Sequence, residues 1–475
     1  MKYEKYKDSI DRWIEADKDA MIASLAELIA IPSEAERPHD VRRALDLCVE
    51  MGKSCGFESE AILDGQIGII EAGCGSRTLG ILAHVDVVPA REEDGWSSPP
   101  YQLTVDRERG LLTGRGAADD KGGIIASLYA MRAVAETGVP FTQKVQLIIG
   151  TKEETEWTDM DAYKAHCTPP DYGFTPDGEF PLGNLENGYA DVLLSFPKKI
   201  CGADDPGFLV EEINCGISSN TVPETAHAVI KGPYEKLAAC LDAFLLQNPG
   251  IRLELLPNDG HAILRASGKA SHSSLPQCGE NPLWTLAAFL SAAGIAKNGA
   301  ENVAAFLNEV AKGDFYGEPF GLYVASPAVD GQPSVPTAAA PTTLDTTEGF
   351  FCLNYNIRQA HHVTRDDIES GFGSFGRKYG FTFEITQWED PLHVSRREPF
   401  LKAMAEVYQN STGKQECFTA CAGTTYAKAL PNMVSFGPLF SGDEDACHSA
   451  NECLRTDSLI KAAKLYAYYI AEMAL

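Results

Sequence analysis

The sequence lacks the signatures that would settle its class at a glance. Its 13 cysteines are odd in number and include no CxxC pair, so neither a disulfide framework nor a thiolate zinc site is implied. Cys48, Cys240 and Cys352 sit in apolar surroundings and read as reduced, structural thiols. The CxxxC pair of Cys417 and Cys421 has nothing beside it to support redox chemistry. No apolar run reaches the ~18 residues of a membrane span. The opening stretch MKYEKYKDSIDRW is charged and holds no apolar signal core, so a cytoplasmic protein is expected. Basic residues are the scarcer charge, 40 against 67 acidic ones. The net charge of -27 argues against a phosphate-backbone binder, and with no apolar run to span a membrane, neither a nucleic-acid nor a membrane partner is expected. "TGRGAADDKGG" is no dinucleotide fingerprint either, because Gly114 and Gly116 have no third glycine at position 119.

What is present is the composition of a soluble globular protein, 44% hydrophobic and 23% charged, and 475 residues point to more than one domain. Apolar residues at helical spacing predict a helix over 10–31, ending before Pro32, and a second over 38–55. Short β-like runs follow, "QIGIIEAG", "TLGILAHVDVV" and "KVQLIIGT", with a helical pattern between the last two. This alternation predicts an α/β catalytic domain, its mixed and largely parallel sheet flanked by helices. From Tyr189 the character shifts to strands such as "YADVLLSF", "AHAVIKG" and "GFFCLNYNIRQ", with helices near 234–247, 281–294 and 299–312. That part reads as an inserted α+β domain, with "SPAVDGQPSVPTAAAPTT" at 326–343 as a long surface loop. The expected boundaries are 1–188 for the first part of the catalytic domain, 189–387 for the insertion and 388–475 for the second part.

Chemistry-bearing residues occur at five stations. "HVD" holds His84 and Asp86 near the end of one strand run; "GRGAADDKGG" holds Asp119; "TKEETEW" holds Glu153 and Glu154; "TPDGEFP" holds Asp177; and "CHSANE" holds His448. Each adjoins an expected strand end, turn or helix start, where open α/β sheets bind ligands. Imidazole and carboxylate suit zinc, manganese or cobalt. Taken singly, each station has a plainer reading. His84 would be a hydrogen-bonded core residue, Asp119–Asp120 a helix N-cap, Glu153–Glu154 a solvated loop end and Asp177 part of an ordinary turn. Only together do they read as a metal site.

The ordered set HxD, GRGxxDDKGG, EE after a strand, PDxEFP and a late HxxNE resembles the cocatalytic di-metal exopeptidases related to aminoacylase and carboxypeptidase G, and within them the PepV-like dipeptidases. The resemblance spans nearly the whole chain. It implies two divalent ions, zinc with manganese or cobalt as alternatives. His84 and Glu154 would be terminal ligands of different metals, Asp119 would bridge them, and Asp177 and His448 would complete the set. Asp86 would accept a hydrogen bond from the other ring nitrogen of His84. Glu153 would take a proton from the metal-bridging water and pass it to the leaving amine.

The resemblance extends into the insertion, which would form a lid. It implies that His272 in "GKASHSSLP" stabilises the oxyanion, and that Asn220 in "GISSNTVPE" and Arg358 in "NYNIRQ" bind substrate, Arg358 clamping a free carboxylate. The family's GGTYAR loop stands here as "GTTYAK", with Gly423 and Thr424 at the substrate position and Lys428 replacing Arg; its FPG is "FSG" at 440–442. The expected function is hydrolysis of dipeptides, or of short peptides with a free C-terminus. An N-acyl-amino-acid deacylase and a metal-binding homologue without catalysis are the alternatives. The length of the insertion further implies that one chain completes its own site, as a monomer or as self-contained subunits.

Overall fold

The computed structural model describes residues 1–199, 207–258, 260–310 and 315–475, so the last two residues of the helix expected over 299–312 lie outside the described residues. The chain forms two compact units. One comprises Met1–Leu185, His393–Thr419 and Thr424–Leu475; the other comprises Glu186–Leu392 with Ala420–Gly423.

The first unit is built on a nine-stranded mixed sheet. From one edge, seven of its strands run Glu58–Ile62, Ile67–Ala72, Lys144–Gly150, Thr78–His84, Tyr172–Thr175, Met433–Phe436 and Leu182–Glu186, and the short strands Leu392–His393 and Phe418–Cys421 complete it. The four in the middle, from Lys144–Gly150 to Met433–Phe436, are mutually parallel, and their outer neighbours are antiparallel. Parallel strands are covered on both faces, which is why Thr78–His84 reads as an unbroken apolar run and buries every residue after Thr78. The crossover from it to Lys144–Gly150 carries the helix Lys121–Ala135, buried except at Arg132 and Ala135 and packed against Thr456–Ala474. A helix enclosed on all sides needs apolar residues all round rather than one stripe, and "IIASLYAMRAVA" supplies them.

The helix expected over 10–31 is two helices, Lys7–Ala16 and Lys18–Ile29, separated at Asp17, whose ψ of 8° leaves the helical range. No apolar side chain other than Ala16 occupies residues 15–19, so no packing holds the axis straight there.

The second unit holds an eight-stranded antiparallel sheet in the order Leu253–Asn258, His261–Ser267, Thr225–Lys231, Leu209–Cys215, Ala338–Thr346, Phe350–Arg358, Tyr189–Pro197 and Thr382–Glu389. Alternate residues such as Ala226, Ala228 and Ile230 are buried, the pattern of a sheet with one covered face. The helices Tyr234–Gln247, Pro282–Ala293, Ala300–Val310 and Arg365–Tyr379 pack on it.

One expectation fails here. The segment 326–343 is not wholly a surface loop: its end belongs to the strand Ala338–Thr346, whose first five residues are buried. Proline is tolerated because Pro341 stands at a register shift against Phe350–Arg358. On the opposite side only Leu344 is paired, so the missing N–H breaks no ladder.

Candidate active site

Three of the four parallel strands end beside one another and deliver side chains at their carboxyl ends, as open α/β sheets do. His84 is the last residue of its strand, opposite Gly150. Thr151–Glu154 follow directly from Gly150, and Asp177 lies two residues beyond Tyr172–Thr175. Asp119 comes from the turn before the helix Lys121–Ala135, and His448 from a loop where its own φ is 61°. That left-handed value is uncommon for a residue with a Cβ.

Two groups of ligand-type atoms result, His84 with Asp119 and Asp177, and Asp119 with Glu154 and His448; within each, the atoms lie within 4.8 Å of one another. Asp119 belongs to both and divides its oxygens between them. Oδ1 lies 3.0 Å from His84 Nε2, and Oδ2 lies 2.9 Å from His448 Nε2. His84 Nε2 is 3.9 Å from Asp177 Oδ2, and His448 Nε2 is 3.1 Å from Glu154 Oε2. His84 is fully buried, and His448 keeps 41% of its side-chain surface exposed.

The electrostatics are those of a place prepared for cations. Asp119, Asp120, Glu153, Glu154 and Asp177 crowd together, and among the described residues none is paired to a lysine or arginine. Burial, then the charge of Asp119, pushes the Asp177 carboxyl up to about 8. Burial, with Asp177, Glu154 and Asp119 nearby, raises Glu153 well above the usual carboxylate range. Asp119 goes the other way: burial opposes its ionisation, but the two histidines outweigh it and hold the carboxyl low. Burial alone would lower His84, and the Asp119 and Asp86 carboxylates overcome it. Among the described residues the buried His84 Nε2 makes no well-formed hydrogen bond, its near neighbour being Asp119 Oδ1 at 3.0 Å. A buried imidazole nitrogen facing clustered carboxylate oxygens fits a divalent ion with N/O ligands.

The surroundings add detail to the pair of His84 and Asp86 and add residues that pattern reading missed. His84 Nδ1 lies 3.0 Å from the backbone carbonyl of Asp86, closer than the 3.5 Å to its carboxylate. That carboxylate also accepts the N–H groups of Glu153 (3.2 Å) and Glu154 (3.0 Å). An Nδ1–H donated to that carbonyl leaves the Nε2 lone pair facing the cluster. Asp120 accepts the backbone N–H of His84.

Glu452, fully buried, accepts Arg115 Nη1 (2.8 Å) and the N–H groups of Gly116, Ala118 and Asp119, so it shapes the turn that carries Asp119. That turn needs Gly116, whose φ is 87°. Glu452 was visible in "HSANE", but nothing local says that its carboxylate reaches back more than 330 residues.

In the second unit, Asn220, His272 and Arg358 meet around Ser273. The Asn220 carbonyl accepts the Ser273 N–H (2.8 Å), Thr221 pairs with His272, and Arg358 Nη2 donates to Ser273 Oγ (3.3 Å). Arg358 is only 4% exposed, lies over the Tyr189 ring at 4.5 Å and donates through Nε to Asn356. Burial lowers its pKa from the ordinary value. Gly423 closes the second unit's short return segment and Thr424 reopens the first. The two departures from the family loop are bonded to each other, Lys428 Nζ donating to Thr424 Oγ1 at 2.8 Å. All 12 described cysteines are free thiols.

Comparison with known proteins follows this geometry. Residues 80–472 match the profile described as Peptidase family M20/M25/M40. The putative dipeptidase YtjP of Bacillus subtilis (strain 168) is 33% identical over 443 residues, 91% of each chain. The Beta-Ala-Xaa dipeptidase of Lactobacillus delbrueckii subsp. lactis is 31% identical over 471 residues, 97% of each. Among solved structures, human carnosine dipeptidase 1 superposes with a TM-score of 0.59 at 16% identity, over 98% of this chain and 99% of that one. The Saccharomyces cerevisiae dipeptidase Dug1p gives 0.60 at 14% identity, over 99% of each. At such identities the two structures speak to the fold alone.

Proposed function

The chain belongs to peptidase family M20/M25/M40, and from that premise we propose that it is a metallodipeptidase, cleaving dipeptides or short peptides with a free C-terminal carboxylate. The observation that carries the reading is the pair of ligand groups sharing Asp119, with Glu153 beside them and in neither. His84 and Asp177 would hold one divalent ion, Glu154 and His448 the other, and Asp119 both, with zinc the first candidate. Such ions supply Lewis acidity toward the peptide carbonyl and make water a better nucleophile.

The protein's own groups do the rest. Glu153 is half-buried among other carboxylates, so its affinity for a proton is high. That suits it to take the proton of the attacking water and deliver it to the departing amine. Asp86 fixes the backbone from which Glu153 and Glu154 project. Arg358 has its guanidinium oriented by Asn356 and Ser273 and is ion-paired to no carboxylate of the described chain, which suits the substrate's terminal carboxylate. His272 is assigned to the developing oxyanion, and Asn220, Gly423 and Thr424 to substrate binding. We assign the protein to the cytoplasm and each site to a single chain. The net charge of -27 is consistent with a small-molecule substrate rather than nucleic acid.

The test is a dipeptide panel assayed after chelation and readdition of zinc, manganese or cobalt, with each dipeptide matched to its N-acetylated form. Metal-restored cleavage of the free dipeptides is expected. Preference for the acetylated forms would make the protein a deacylase, and no turnover with any metal would make it a non-catalytic metal binder.

A further inference from the structure

We propose that Tyr426 and Asp159 form a positioning pair that aims Glu153, acting through the backbone of Thr151–Glu154 and the indole of Trp157. The proposal rests on the reading of Glu153 as the proton carrier. Neither residue enters the chemistry described above, and all the contacts lie within the first unit.

Four successive N–H groups leave the end of the strand Lys144–Gly150, and two buried carboxylates collect them. Thr151 and Lys152 donate to Asp159 Oδ2 at 2.6 and 3.1 Å, while Glu153 and Glu154 donate to Asp86. With its donors held in this way, the loop has one backbone conformation, and the direction of the Glu153 side chain is set from behind. The acceptor side is held too: Trp157 Nε1 donates to the Glu153 carbonyl at 2.7 Å.

Tyr426 locks this arrangement from 267 residues away. Its hydroxyl donates to Asp159 Oδ2 at 2.7 Å. Its ring meets Trp157 edge-on at 5.4 Å and His84 at 5.9 Å. One fully buried side chain thus touches the carboxylate that holds the start of the loop, the indole that holds its middle and a candidate metal ligand. Asp159 also accepts the Met160 N–H, so its carboxylate takes four donors and cannot turn.

Phenylalanine would fill the same volume. Burying a hydroxyl costs less where it is bonded, and here the bond ends on the carboxylate that holds the start of the Glu153 loop.

The test uses the full-length protein with Tyr426→Phe, which keeps the ring and deletes the bond. Metal content should stay at wild-type level and KM should hold. The fall in kcat should be roughly ten- to hundredfold, the range set by losing a hydrogen bond to a charged group. Trp157→Phe should act in the same direction. The double variant should fall short of the product of the two effects, because both act on one geometry.

A second readout needs no turnover. The Trp157 indole N–H resonance, assigned by its loss in Trp157→Phe, should shift and exchange faster with solvent in metal-free Tyr426→Phe. An unchanged kcat, a change confined to KM, or an unmoved indole resonance would overturn the proposal. Should Tyr426→Phe not fold, an unchanged kcat in Trp157→Phe would overturn it. Should the wild type cleave no dipeptide with any metal, the functional reading fails, and the indole resonance still decides the positioning pair.

Discussion

Replacing Glu153 with glutamine separates proton transfer from metal binding. The substitution keeps the side-chain volume and the backbone bonds to Asp86 and Trp157, and removes only the titratable oxygen. Glu153 stands in neither ligand group, so both ions should still load at saturating metal. Loss of general acid–base assistance costs ~10²–10⁴-fold in rate, which corresponds to about 3–5 kcal/mol of activation free energy. The crowding works in favour of the variant's fold, since burial and three neighbouring carboxylates already disfavour the ionised form of Glu153. A neutral amide removes that repulsion, so metal-free Glu153→Gln should be at least as stable as the wild type. The assay combines metal analysis of the desalted variant, kcat on a good dipeptide and a thermal melt without metal. Near-normal turnover would remove Glu153 from the chemistry. A variant that holds one ion instead of two would make it a ligand, and either result refutes the reasoning.

The other predictions follow from single groups. Arg358→Ala should reduce kcat/KM on free dipeptides by about 1.5–3 kcal/mol of binding, and leave their C-terminal amides almost untouched. Equal losses on both would sink the clamp. In the metal-free protein the Asp177 carboxyl is pushed from 3.8 up to about 8 by burial and Asp119, so the folded state keeps a proton that the unfolded chain releases. Its contribution is therefore complete below about pH 4 and lost as pH rises toward 8; melts should show Tm falling across that window, less steeply in Asp177→Asn, and parallel curves would refute this. Mixing inactive Glu153→Gln with inactive His272→Ala should recover no activity, and recovery would mean that subunits share sites.

How much of this was legible depends on whether a signal is local. His84, Asp119, Glu154, Asp177 and His448 could be picked out because each sits beside a strand end or turn readable within ten residues, and the geometry brings their atoms together in two groups. Asp86 shows the limit. Nothing local says that the carboxylate lying 3.5 Å from His84 Nδ1 also accepts the N–H groups of Glu153 and Glu154, 67 and 68 residues further on. Tyr426, Asp159 and Glu452 escaped because their partners are brought near only by the fold; a buried tyrosine in "GTTYAK" looks the same whether or not its hydroxyl is bonded. The strand Ala338–Thr346 was hidden by prolines, whose cost depends on which neighbours are paired at that spot.

The order of strands in the first sheet also sets an order in time. Tyr172–Thr175 is flanked by Thr78–His84 and by Met433–Phe436, and the second of these leaves the ribosome about 260 residues after it. At ~5–20 residues per second, the nascent strand waits roughly 13–50 s for that neighbour. Throughout the wait one edge of the sheet is open, on a strand whose four residues are all buried in the finished protein. The insertion lies almost wholly within this interval, at Glu186–Leu392, so it can reach its own core while the catalytic sheet is still half made. His448 emerges later still. The two groups that share Asp119 cannot both exist until it does, so a chain stalled between Leu392 and His448 has nearly all of the insertion's sequence and lacks one of the two ligand groups.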